Sequence, residues 1–363
     1  MKQIHIKNVV KLAGAYVAYL IGSGFATGQE ILQFYTAYGK ASILGVLVSM
    51  FLFSWAGGTI MSCGYDEKTE KEIHGYKKYC GKYLGALYEW FVVVFLACIL
   101  IIMISGAGAT LNECFGLPHY VGTIVLAILV YITYVLGLKR LVDIIGAIGP
   151  VIIILTLLVG LITIGRTGLI LGNVDVYVAN ANIPKASSNA LISGILYVAY
   201  NIFSAVIFLS ALGQYGNSRK ESQCGGIFGG ILIMSATFVV NLAFLANAEK
   251  IGQLSIPTLF LARQISPVLE IVFSVVIMLG IFSTASPVGW TVCDRFVKEG
   301  TTKSRVFAAL LMIVSLACGQ LPFGKLVGTI YPLTGYLGIL LLICIAVYRI
   351  RQILPVCKND HHK

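Results

Sequence analysis

The sequence predicts an all-α polytopic membrane protein with ten transmembrane helices, and three observations carry that prediction. Hydrophobic residues make up 58% of the 363 and charged residues only 11%, whereas a water-soluble domain carries about 25% charged residues. The apolar residues fall into ten runs, each near the roughly 20 residues that a helix needs to cross hydrocarbon. Lys and Arg sit in the short connections between those runs, the distribution that sets membrane topology.

The runs lie at 9–36, 41–62, 84–112, 120–137, 141–164, 189–213, 225–247, 266–293, 305–321 and 328–348. An N-terminus in the cytoplasm places twenty Lys and Arg on cytoplasmic loops and six outside. Both termini are therefore expected on the cytoplasmic side of the cell's inner (plasma) membrane. The opening Met-Lys-Gln-Ile-His-Ile-Lys-Asn has no small-residue cleavage site, so the first span is expected to be retained. The charged connection 65–82 predicts an amphipathic cytoplasmic helix. Residues 255–263 are too few to span and suit a short outer helix acting as a lid, and 171–185 form a longer outer loop. The polar tail after Arg351 predicts a frayed end, with His361-His362 too little for a metal site.

Composition also excludes function classes. The nine cysteines are scattered singly, without CxxC pairs or a His cluster, and read as packing residues in a reducing context rather than disulfides or a metal centre. The net charge of +11 is distributed over loops, with no basic patch interleaved with aromatics, which argues against nucleic acid. A channel would call for a repeated filter or charged ring, and an enzyme for paired carboxylates or a nucleophile–base pair. Neither pattern is visible, so no cofactor is expected.

The first run is interrupted at 21–30, Ile21-Gly22-Ser23-Gly24-Phe25-Ala26-Thr27-Gly28-Gln29-Glu30. Each of its three glycines costs about 1 kcal/mol in a helix relative to alanine. In hydrocarbon the released N–H and C=O groups each cost several kcal/mol more unless protein, water or a ligand satisfies them. Backbone N–H groups from Gly22 to Gly28, at the positive end of the second half-helix, favour an anion, and Ser23 and Thr27 add hydroxyls. Ten spans divide into five plus five, and an odd number per half inverts the second half in the bilayer. The counterpart of span one is then span six, where Asn201 and Ser204 are helix-capping residues in the middle of an apolar run. The sequence thus predicts a single transmembrane domain of two inverted repeats, approximately 9–165 and 189–348, with spans one and six both discontinuous.

Ile21-Gly22-Ser23-Gly24-Phe25 is similar to the Gly-Ser-Gly segment in the first span of amino-acid permeases. The chain resembles the amino acid–polyamine–organocation superfamily, with its LeuT-type inverted repeat. Over "AYVAYLIGSGFATGQEILQF" it looks more closely like the YkvI-type bacterial membrane proteins, while span six departs from the usual permease pattern. The resemblance implies a core of spans one, two, six and seven moving against a scaffold of spans three, four, five and eight. Spans nine and ten would lie outside that core.

It also implies residue roles. The N–H groups of Ser23, Gly24 and Phe25 would hold a substrate carboxylate. A sodium ion would take the carbonyls of Ala18, Ile21 and Gly280 with the hydroxyls of Ser283 and Thr284. Hydroxyls in apolar helices also commonly bond back to their own helix. Substrate walls would come from Met103, Tyr200, Asn201, Phe203, Ser204 and Phe282, with Ser105-Gly106-Ala107-Gly108 permitting close helix approach. Glu30 has two readings, a functional carboxylate inside a span or the partner of Thr27 in a capping box. Glu270 and Asp143 read as interfacial or paired.

The function expected from these features is a secondary active transporter of an amino acid or similar small organic solute, coupled to sodium by alternating access. Proton coupling and a non-transporting ligand sensor are the alternatives. The partners expected are the solute and the lipid bilayer.

Overall fold

The computed structural model describes residues 5–68, 75–136, 142–168, 172–298 and 300–353, without the side chains of residues 23, 142–148 and 353. The described residues form helices and turns only. The first apolar run does not make one helix. It divides into α1 (Ile6–Leu20), α2 (Ser23–Thr27) and α3 (Gln29–Phe34), followed by a 3-10 segment Thr36–Ala41. Between α1 and α2 the chain is extended at Gly22 (φ −93°, ψ −170°). Between α2 and α3, Gly28 takes φ +80°, a left-handed conformation that costs a side-chain-bearing residue roughly 1–2 kcal/mol. A Cβ on Gly28 would also lie 2.5 Å from Phe244 Cζ and 2.8 Å from Thr258 Cγ2.

The remaining long helices are α4 (Ser42–Asp66), α5 (Gly75–Phe115), α6 (His119–Leu136) and α7 (Val142–Thr167), then the short α8 (Val174–Asn180). After it come α9 (Ala190–Gly213), α10 (Arg219–Leu245), the short α11 (Ala248–Ile251) and α12 (Pro257–Ile265). The chain ends with α13 (Pro267–Phe296), α14 (Thr302–Cys318) and α15 (Phe323–Ile353). Their starts follow local chemistry. Asn189 caps α9 by accepting from Ile192 N, Ser218 caps α10 and Ser266 caps α13.

Eight helices among the described residues are long and apolar enough to cross a membrane. The first run is split, and α14 is only 17 residues long, so length alone does not extend the count to ten. α14 carries Val306, Leu310, Ile313 and Val314 exposed on one face, the surface a lipid-facing helix presents. α4 crosses α10 where Gly57 meets Gly226, and a Cβ on Gly226 would overlap the Gly57 backbone. Small residues permit this close approach where no hydrophobic force drives helices together.

The sequence expectation of a discontinuous sixth span is corrected. α9 runs unbroken from Ala190 to Gly213. Its polar residues serve the helix instead of interrupting it: Asn201 Nδ2 donates to Tyr197 O at 2.9 Å, and Ser204 Oγ to Asn201 O at 2.9 Å. Residues 195–212 contain no glycine, so nothing favours a break. Gly335 and Gly338 of α15 lie against Leu196 O and Ala199 O, with a Cβ on Gly335 falling 2.9 Å from the former. The expected helix over 65–82 is partly described: residues 75–80 are helical up to a break at Gly81 (φ +74°), and 69–74 and the tail from 354 lie outside the described residues.

The expected lid is the short helix α12. Glu113 of α5 accepts from Ser255 N at 2.6 Å and Ile256 N at 3.0 Å, just before its first turn. Arg166 Nη1 of α7 donates to Gln264 O and Ile265 O, both at 3.3 Å, at its last turn. A carboxylate before the first turn and a guanidinium at the last complement the helix dipole.

Candidate functional site

The break in the first run opens onto a cavity of about 630 Å³, within the size range of small-molecule sites. Each wall comes from a different helix. Gly22 and Gly24 contribute the broken backbone, Glu30 the start of α3, and Met103 the middle of α5. Tyr200, Asn201 and Ser204 come from α9, and Ser283 and Thr284 from α13. The cavity extends past Ala15, Tyr19, Phe208 and Pro287, towards the end of the molecule where α1 begins.

The opposite end is closed. Thr258 Oγ1 of α12 donates to Ala26 O at 2.6 Å, and Gln33 Nε2 donates to Gly324 O at 2.8 Å. Above the cavity Phe34, Tyr35, Phe53 and Tyr200 all pack around Tyr197 or its neighbours, with Tyr35 5.1 Å and Phe53 5.9 Å from the Tyr197 ring. Thr36 and Asn241 are hydrogen-bonded at 2.9 Å in the same buried region.

The residues named for sodium fall on one wall, with one exception. Ala18, Ile21, Ser283 and Thr284 line the cavity, and a Cβ on Gly22 would lie 3.8 Å from Thr284 Oγ1. Gly280 does not line it. Its carbonyl accepts from both Ser283 Oγ (2.8 Å) and Thr284 Oγ1 (3.1 Å), which uses both of its lone pairs. The two hydroxyls, having given their hydrogens to Gly280, keep lone pairs to offer towards the cavity.

Several other expected residues stand elsewhere. Phe203 is fully buried against Tyr76, Tyr88, Phe91 and Phe95 and does not line the cavity. Phe25 is buried, and Phe282 lies outside the lining. Thr27 is buried and turned inward, donating to Gly24 O at 3.0 Å. No reciprocal capping box forms, because Gly28 separates Thr27 from α3 and stands as its N-cap without a side-chain cap bond. The Ser23 side chain lies outside the described ones, as does that of Asp143. Glu270 is paired with Arg263 at 3.4 Å.

Glu30 instead turns to the cavity. Its carboxyl lies directly on Gly24, so that a Cβ there would overlap it, and the phenols of Tyr197 and Tyr200 stand beside it. Sequence reasoning missed Tyr331 of α15, whose ring stacks on Tyr200 with centroids 4.6 Å apart and planes within 7°. It also missed Tyr19 and Phe208, stacked at 4.2 Å, and Gly149 beside Ala18. A signal existed. The prolines inside helices, Pro150, Pro287 and Pro332, are each a lining residue or the neighbour of one. A helix proline frees the carbonyl four residues before it, which a membrane tolerates mainly beside a cavity or another helix. Among the described residues no three His, Cys, Asp or Glu side chains cluster as a metal centre would require.

No family model matches the chain. It is 25% identical over 344 residues to the uncharacterized membrane protein YkvI of Bacillus subtilis (strain 168), covering 91% of this chain and 92% of that protein. It is 23% identical over 331 residues to the uncharacterized protein YyaD of the same organism, covering 91% and 94%. Among solved structures, Mhp1 in its inward facing conformation matches with a TM-score of 0.54 at 16% identity, over 95% of this chain and 77% of that one. The H236A mutant of the Eremococcus coleocola manganese transporter matches with a TM-score of 0.50 at 14% identity, over 100% and 90%. These likenesses give the fold.

Proposed function

From a YkvI-like, multi-span membrane protein of LeuT-type fold, we propose a secondary active transporter of an amino acid or similar small organic solute, coupled to sodium by alternating access. The observation that carries the reading is the interrupted first run, whose extended turn at Gly22, with Gly24 beside it, lines a mid-span cavity opposite Ser283 and Thr284. A cation at that wall would take neutral oxygens, as a hard monovalent ion does. It would leave the aromatic and apolar faces of α5, α9 and α15 to the solute. The reading includes ten spans, with α1 to α3 as one broken span and α14 as the ninth, in two inverted repeats. Both termini would lie in the cytoplasm of a bacterial cell.

In this reading the structure corresponds to the state open towards the N-terminal side. The cavity reaches Tyr19 and Phe208 there, while the other side is capped by α12 through Thr258 and by Gln33 on Gly324. Outward opening would break those two contacts together. The backbone groups of α2 then change partners between lid and solute, and a rigid first span could not do this.

Proton coupling is the second reading, and the position of Glu30 favours it: a carboxyl only 6% exposed, inside the cavity, beside phenols. Uptake of a labelled solute panel into proteoliposomes, with and without a sodium gradient, separates the two. Sodium-driven accumulation lost in Ser283→Ala/Thr284→Ala supports sodium. Accumulation indifferent to sodium, driven by an imposed pH gradient and abolished by Glu30→Gln, supports protons. Uptake of nothing in the panel, with solute binding retained, removes the transport reading.

A further inference from the structure

Given the transporter reading on which this inference rests, the cavity's chemistry turns the solute away from an amino acid and towards an organic solute without a carboxylate. Among the described residues that line it, Glu30 is the only carboxylate and none is Lys, Arg or His. The carboxyl rests on Gly24, at the first turn of α2. That is the place the family resemblance implies for a substrate carboxylate. A second carboxylate brought there would face a like charge at close range in a medium of low dielectric, where repulsion is strong.

The neighbouring groups suit the opposite charge. The stacked rings of Tyr200 and Tyr331 both line the cavity beside Glu30. Aromatic faces attract cations. The Tyr200 hydroxyl is buried beside the Glu30 carboxyl, and its oxygen keeps lone pairs that can accept from a ligand N–H. Beyond them the wall is apolar: Phe95, Leu96, Ile99 and Met103 of α5.

We propose that Glu30 is the counter-ion of the solute, and that the solute is a primary amine with an apolar body and no carboxylate of its own. The ammonium sets its charge against Glu30 and the Tyr200–Tyr331 rings, and the hydrocarbon lies along α5. An amino acid with the same side chain would have to place its own carboxylate beside that of Glu30.

Matched probes test this on the purified full-length protein in nanodiscs, by calorimetric titration. Each set holds an amine, its parent amino acid and its alcohol: isoamylamine, leucine and isoamyl alcohol; phenethylamine, phenylalanine and phenylethanol; tryptamine, tryptophan and tryptophol. The expected result is that at least one amine binds ten-fold or more tightly than both of its partners, and that Glu30→Gln removes that ten-fold preference. The comparison within the wild-type protein stands even where the variant fails to fold.

The absence of any set in which the amine leads both partners ten-fold, or a ten-fold lead that survives in a folded Glu30→Gln variant, overturns the assignment. Counterflow of the same probes in proteoliposomes separates it from the transport reading. Amine-selective binding without counterflow supports the assignment while removing transport. Counterflow of amino acids but not amines overturns the assignment and leaves transport standing.

Discussion

Thr258 Oγ1 donates a hydrogen bond to the carbonyl of Ala26 at 2.6 Å, across 232 residues of sequence. The bond joins the short helix α12 to the half-helix α2, where the backbone has no continuous helix to satisfy it. α12 is itself held at both ends by Glu113 and Arg166. A single hydroxyl thus ties the part of the first run that is broken to a helix anchored on α5 and α7.

Thr258→Val removes that donor while keeping the shape. A buried hydrogen bond contributes about 1 kcal/mol net, so the closed end should open roughly five-fold more often. Hydrogen exchange of residues 23–34 in nanodiscs is the measurement. Exchange there no faster than in the wild type would mean that the bond does not hold the lid.

Gly28 and Gly14 make a matched pair. Gly28→Ala places a Cβ at φ +80° against Phe244 and Thr258, whereas a Cβ on Gly14 meets nothing within 4 Å. The first change should cost about 2 kcal/mol or more from backbone strain and overlap together. The second should be neutral or stabilise by up to about 1 kcal/mol, as Ala does in a helix. Thermal melting in the same detergent compares them, and equal melting points would contradict the left-handed turn.

Ser283→Ala with Thr284→Ala leaves α13 intact, since among the described residues both hydroxyls bond to Gly280 of their own helix. Under sodium coupling the concentration of sodium for half-maximal uptake should rise at least ten-fold. Thr291→Ala serves as control, because its hydroxyl bonds back to Pro287 O at 2.8 Å in the same way. An unchanged sodium dependence in the double variant counts against the ion wall.

At the other end of the molecule, Lys78 Nζ stands 2.7 Å from Glu67 Oε1, with the Glu67 side chain only 4% exposed. Lys78→Met strands that carboxylate and should cost about 3 kcal/mol. Adding Glu67→Leu should restore most of the loss, because the pair is then replaced by apolar groups. A double variant melting as low as the single one would show that Lys78 acts through its contact with Cys63 O instead.

How far the sequence reached differs from residue to residue. Gly22, Gly24 and Gly28 announce the break in the first run because their cost in a helix is local and needs no partner. Asn201 and Ser204 misled for the same reason. Capping residues need not cap, and inside α9 they turn back on their own carbonyls. Tyr331 was invisible as a lining residue, since its place depends on α15 crossing α9 at Gly335 and Gly338.

By itself the sequence determined an all-helical membrane chain, its apolar runs, and the point where the first run cannot stay helical. Those properties follow from each segment's own transfer and backbone energies, which the bilayer evaluates segment by segment. Only the tertiary structure decided that Glu30 turns to the cavity, that Phe203 leaves it, that α9 is whole, and that Gly280's carbonyl is already engaged. Each of those depends on which helix lies against which, and between apolar helices that choice is made by the shapes of small residues in contact rather than by composition.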